Sequence, residues 1–238
     1  MLFSAHLFDS NPRIAMNRVA PVEADVPGLL SAHTGSCAPF DESYFALPQL
    51  GREFMIAAWE NEENLDQFLE RSDHGREMSA GWHVRLELVR AIGMFPGLDR
   101  DLHEVAQDKA ASMTGPSVAL TLGKAHLKTI PEFFYVNKGL ERQFIATPEG
   151  RWGTACANLK TRFVSTITVW DSLGAATDYV RKGAHGDAVM NHSDLKADPT
   201  GHSFVTGGGF LGFRPLSMHG EVTGRNAVSP AVLAKSPS

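Results

Sequence analysis

The alternation and helical spacing of apolar residues predict a chain of short strands interrupted by amphipathic helices. Leu2 to Phe8 reads as a strand, and Asp9-Ser10-Asn11-Pro12 offers an N-cap and an early proline for a helix from about Arg13 to Asp25. A second strand runs toward Cys37, Pro39 to Pro48 reads as a long hairpin connection, and Phe54 to Trp59 is a third strand. Asn61 to Glu70 places Leu65, Phe68 and Leu69 on one helical face, with His74-Gly75 as its stop, and Trp82 to Ile92 alternates as a fourth strand. The order strand, helix, strand, strand, helix, strand is the split ferredoxin-like unit.

The same order recurs after residue 115. Val118 to Leu122 is a strand, Ile130 to Phe144 a helix opened by Pro131, and Gly153 to Leu159 and Phe163 to Trp170 are strands joined at Lys160-Thr161-Arg162. Asp171 to Lys182 is a helix, and His202 to Arg214 a closing strand. A tryptophan and a His-Gly pair stand at matching separations in both halves, Trp59 with His74-Gly75 and Trp170 with His185-Gly186. Repetition of this kind predicts two units that bury their apolar faces on each other. The expected fold is α+β, tandem ferredoxin-like repeats forming a pseudo-dimeric α/β barrel. Its parts are residues 1–96, a linker at 97–115 with a short helix from Asp101 to Ala111, residues 116–218, and a loose tail at 219–238.

Composition narrows the function classes. A hydrophobic content of 43% with 21% charged residues is that of a globular domain, which excludes wholesale disorder. The net charge of -5 comes without a basic block, so nucleic acid is not expected as a partner. No apolar run approaches the ~18 residues of a membrane span, and a cytoplasmic setting is expected. Cys37 and Cys156 predict neither a disulfide framework nor a thiolate cluster.

Several segments carry a family likeness. Trp82 to Gly93, Gly115 to Thr121, Thr166 to Trp170 and Ala184-His185 resemble the pattern of the spheroidene monooxygenase family, which groups with the dimeric α/β barrel haem proteins. Where that family has a Gly-Glu-Pro-like element, this chain reads Asn158-Leu159-Lys160-Thr161-Arg162. The resemblance implies a haem-dependent oxygenase of apolar molecules, with haem b as cofactor and dioxygen and an electron donor as partners. It makes His185 the natural axial ligand.

His185 has Gly183 and Gly186 beside it, so little bulk would guard the imidazole from a planar macrocycle. The alternative is that His-Gly is a helix-ending device shared by both halves. Phe133, Phe134, Tyr135, Phe144 and Phe163 offer an apolar lining between sheet and helices, with Phe134 and Phe163 as cofactor contacts. Arg142, Lys160 and Arg162 are the weak candidates for pairing with propionates or polarising dioxygen, and solvated surface charge is the plainer reading of each. Trp59 and Trp170 fit core packing better than cofactor stacking. His185, His192 and His202 with Asp187, Asp194 and Asp198 match no compact metal motif. The glycines of Thr206 to Gly212 lack the Lys-Ser/Thr of a phosphate loop.

The expected activity is therefore a haem-dependent, monooxygenase-like oxidoreductase for a small or medium apolar molecule, with aldoxime dehydratase-like chemistry as a variant. One rival is a cofactor-free barrel oxygenase using His126, His83 or His6. The other is a noncatalytic protein that binds haem or an apolar ligand. A homodimer is a generic expectation from exposed sheet edges.

Overall fold

The computed structural model describes residues 1–15, 17–41, 49–107, 109–126, 128, 130–181, 193–194 and 205–234, with the side chains of 130–136, 193–194 and 205–206 left aside. The strands are β1 (Leu2–Asp9), β2 (Leu29–Pro39), β3 (Arg52–Trp59), β4 (Trp82–Gly93), β5 (Ser117–Ala125), β6 (Gly150–Asn158), β7 (Phe163–Trp170), β8 (Ser193–Asp194) and β9 (Val205–His219). The helices are α1 (Pro12–Ala15), α2 (Glu62–Arg71), α3 (Asp73–Ser79), α4 (Leu102–Val105), α5 (Ile130–Ile145), α6 (Leu173–Arg181) and α7 (Ala231–Ala234).

Eight strands pair antiparallel in the order β4-β1-β3-β2-β6-β7-β5-β9, and β9 returns to pair with β4, so the sheet is a closed barrel in an α+β protein. β8 adds a short parallel pairing to β9. The first four strands lie in the order β4-β1-β3-β2, and β9-β5-β7-β6 repeats that order in the second half. Alternation along the strands sends Phe3, Ala5 and Leu7, Phe54 and Ile56, Val84, Leu86 and Leu88, Val118 and Leu120, Ile167 and Val169, and Leu211 and Phe213 into one interior cluster. The opposite faces pack under helices. Met55, Trp59, Leu65, Phe68 and Met78 form one outer layer under α2 and α3, and Phe144, Trp170, Ala176, Val180 and Phe210 form the other under α5 and α6.

Both barrel ends are corked by chain expected to be linker or loose tail. Phe95, Leu102 and Ala106, in and just before the linker, join the interior cluster at one end. At the other, Val222, Val228 and Val232 join it, and Val222 and Val228 exchange backbone hydrogen bonds of 3.0 and 3.1 Å. The expected loose tail is thus packed as far as residue 234. Arg52 donates to Thr223 O at 2.9 Å and Arg151 to Leu233 O at 2.7 Å, which ties the segment to β3 and β6.

Three helical expectations are corrected. The helix expected from Arg13 to Asp25 is the single turn Pro12–Ala15; Ile14 and Val19 of the expected apolar face are exposed, so no packing supports a longer helix. The expected linker helix is α4 followed by a separate 3-10 turn at Ala110–Ser112. His74-Gly75 does not stop the helix before it. Ser72 ends α2 and caps α3, its hydroxyl accepting from Gly75 N at 2.8 Å, so the pair sits in the first turn of α3.

Candidate functional site

The outer face of the second sheet, between β5, β7 and β9 below and α5 and α6 above, is built from aromatic rings. Trp170 meets Phe144 edge-on at 4.9 Å and Tyr179 at 4.9 Å, with Phe210 and Phe40 completing the wall. The Trp170 indole donates to Thr168 Oγ1 at 2.9 Å, and Thr168 donates to Ala119 O at 3.2 Å. Tyr179 donates to Leu140 O at 2.6 Å, joining α6 to α5. Burial, reinforced by Glu141, raises the Tyr179 phenol further above its ordinary range, so it stays protonated. Glu141 itself is raised by burial, with Lys138 opposing. The rings pack on one another as a buried apolar layer that excludes water.

A pair of cations borders the same face. Arg90 follows the irregularity in β4 and lies beside Gly212 of β9, close to Leu173 of α6. Its Nε is buried with no hydrogen-bond partner among the described residues. Burial and the nearby Arg181, the last residue of α6, both lower the Arg90 guanidinium. Arg90, with its Nε unsatisfied and no carboxylate paired to it among the described residues, suits an anionic group on a ligand. No spacing in the sequence points to it, because only the barrel closure of β4 on β9 brings Arg90 to α6.

The outer face of the first half carries histidines instead. His6 of β1, His83 of β4 and His219 of β9 are register partners on adjacent strands, with rings stacked at 5.5 and 5.0 Å. The Trp59 indole donates to Ser4 Oγ at 2.9 Å, so the Ser4 hydroxyl proton is free to reach His6 Nε2 at 2.9 Å. His6 Nδ1 is buried with no partner among the described residues. Burial holds His6 well below the ordinary imidazole value, with His83, His74 and Arg85 adding to the effect. His74 is lowered to about 4 by burial and then Arg18. His83 is lowered to about 4 by burial and then by His219 and Arg85. His6, His74 and His83 are therefore neutral at neutral pH and do not hold an anion by charge.

The structure disperses the candidates that the sequence suggests. Phe163 points into the barrel, where it stacks on His33 at 4.0 Å and 5°, so it lies across the sheet from the α5 and α6 face and cannot line it. Lys160 and Arg162 sit in the turn between β6 and β7, where Asn158 Oδ1 accepts from Lys160 N at 3.0 Å and Arg162 adopts a φ of 63°. Arg142 lies in the last turn of α5, whose Phe144 packs on Gly150 and Gly153 at the start of β6, a strand length away from that turn. The three are therefore not one site. Phe134 lies on α5 and Asp194 on β8, and the side chains of both fall outside the described residues, as do His185, His192, His202, Asp187 and Asp198. His126 follows β5, away from His6 and His83. Among the described residues no cluster of three His, Cys, Asp or Glu side chains could hold a metal ion.

Comparison with known proteins gives shape-level likeness alone. No family model and no curated protein matches the chain. A candidate monooxygenase from Fusobacterium nucleatum subsp. nucleatum is similar at 6% identity and a TM-score of 0.41, covering 96% of this chain and 97% of that one. A candidate monooxygenase from Lactobacillus acidophilus has 10% identity and a TM-score of 0.38, with coverage of 96% and 97%. A ferredoxin-fold protein related to antibiotic biosynthesis monooxygenases, from Listeria monocytogenes, has 10% identity and a TM-score of 0.34 over 91% of this chain and 95% of that one. Identity and superposition this low tie none of those activities to this chain. Among the described residues no helix is long and apolar enough to cross a membrane.

Proposed function

We propose that this protein is a monooxygenase-like oxidoreductase that takes a small or medium apolar molecule on the outer face of its second sheet. Its two halves are taken as tandem ferredoxin-like repeats of a pseudo-dimeric barrel, supported by their matching strand orders. The observation that carries the proposal is an asymmetry between them. The second half has the 16-residue helix α5 over its sheet, whereas the corresponding helix of the first half is the four-residue turn α1. Of the two, only α5 is long enough to cover Trp170 and Tyr179, through its Phe144.

That wall carries no free acid or base among its described residues, so the chemistry is assigned to haem b held through His185, four residues beyond the end of α6. The residues present fit the group in one respect. Arg90 of β4, whose Nε is buried without a partner among the described residues, suits one of its propionates. When bound, haem supplies oxygen activation. The chain binds and orients the apolar molecule, excludes water with the aromatic wall, and holds the Tyr179 proton on its phenol.

The absorption spectrum of protein expressed with excess haem precursor tests this. A Soret band that is lost or shifted in His185→Ala is expected. A band unchanged in that variant removes the ligand assignment, and a haem-replete protein with no band removes the haem reading. The stacked neutral histidines of the first half favour a second reading, a cofactor-free oxygenase using His6 or His83. It requires turnover without haem that His83→Gln abolishes.

A further inference from the structure

The two halves of the barrel are joined at two seams of unequal length. β4 and β9 share ten register pairs, from His83↔His219 to Gly93↔Gly209, while β2 and β6 share four, from Ser36↔Ala157 to Pro39↔Thr154. One of those four pairs involves Pro39, which has no N–H to give. Side chains of β6 compensate at either end. Thr154 donates to Ala38 O at 3.0 Å and Asn158 to Thr34 O at 2.7 Å.

Between those two props stand Cys37 and Cys156, direct partners in the register. Both are free and both are buried in the interior cluster, so the two thiols face the same side of the sheet. Directly opposed residues of an antiparallel pair have Cα atoms about 4.5–5.5 Å apart, inside the roughly 4.4–6.8 Å span of a disulfide. Neither cysteine has a role in the proposed reaction, and nothing in the core requires two thiols side by side.

We propose that Cys37 and Cys156 are a disulfide-forming pair that locks the short seam of the barrel when the protein meets a small-molecule disulfide oxidant. In the closed barrel the pair is unreactive, because burial followed by the Cys37 contact holds the Cys156 thiol protonated. Opening of the four-pair seam exposes it to solvent, where one cysteine ionises. Its thiolate attacks the oxidant, forming a mixed disulfide and releasing one thiol. The second cysteine displaces the remaining half as another thiol, its proton passing to solvent and then to that leaving group. Two protein S–H bonds are lost, one S–S bond is made, and the oxidant is reduced to two thiols. The product closes a loop from residue 37 to residue 156 and ties the first half to the second.

The test incubates the full-length, natively folded protein with oxidised glutathione at neutral pH and reads intact mass. A loss of about 2 Da, a Cys37–Cys156 crosslinked peptide and a melting temperature about 5–10 °C above the reduced form are expected, all reversed by dithiothreitol. Cys37→Ser and Cys156→Ser should each lack the crosslink, and the wild-type mass stands as the readout where a variant fails to fold. A protein that stays fully reduced in the native state, that crosslinks only in urea, or that gathers glutathione on both cysteines without joining them overturns the proposal.

Discussion

Ser4 Oγ accepts the indole proton of Trp59 at 2.9 Å, whereas the residue in the place of Ser4 in the second half is Ala119. The registers Leu2↔Trp59 and Ser117↔Trp170 make the two positions equivalent. Trp170 turns instead to Thr168 Oγ1 on its own strand. Each half therefore satisfies its buried tryptophan with a different strand, and only the first half uses that bond to orient a histidine. Ser4→Ala leaves the Trp59 N–H and His6 Nε2 both buried and unpaired, at a cost of about 2–4 kcal/mol. Urea unfolding should measure the loss, and a midpoint equal to the wild type's would show that the pair is not bonded.

Acid should weaken the first half specifically. His6, His74 and His83 have folded values below the unfolded value of 6.5, the last two at about 4. A depressed value means that protons bind the unfolded chain first, so the stability is complete above pH 6.5 and is lost as pH falls toward 4. Chemical denaturation across pH 4–7 should show that decline. His83→Gln should flatten it, and an unchanged slope in that variant would place the titration elsewhere.

Much of this architecture is legible in the sequence, and the departures have physical causes. β7 is found at its expected Phe163–Trp170, since alternation and a tight turn bound it on both sides. α5 lies within a residue of expectation because Pro131 marks its start. α1 falls short of its expected length because the apolar spacing of Ile14 and Val19 looks helical in sequence, yet both are exposed and bury no face that would hold a longer helix. The packing of the tail leaves no sequence signal, because Val222, Val228 and Val232 are isolated apolar residues with no period, and only the open end of a barrel gives them a core to fill. Arg90 and Arg181 stand far apart in sequence, so no spacing rule relates them.

The tail should matter to stability as much as a strand does. Val228→Ala removes buried apolar surface from the barrel mouth at a cost of about 2 kcal/mol. Deleting residues 221–238 removes all three buried valines and the acceptors of Arg52 and Arg151. Trp82 and Trp152, which meet at 5.7 Å in the same interior cluster, would then face water. Thermal melting should fall well below the wild type, with tryptophan emission moved to the red. A truncated protein with unaltered emission would mean that the segment does not seal that end.

Gly75 separates packing from capping in the Trp-to-His-Gly unit. A Cβ added there would overlap Phe68 O and lie 2.7 Å from Leu69 Cα, both backbone atoms of α2 that no rotamer change can move. Gly75→Ala must therefore push α3 off α2, at a cost of about 3 kcal/mol. Gly139 on α5 has open space around the same atom, and Gly139→Ala should stabilise by about 0.5–1 kcal/mol through helix propensity. Opposite signs in guanidinium melts of the two variants are the expected outcome. If Gly75→Ala were neutral, the glycine would be a turn residue after all, and the close approach of α3 to α2 would not be what the motif encodes.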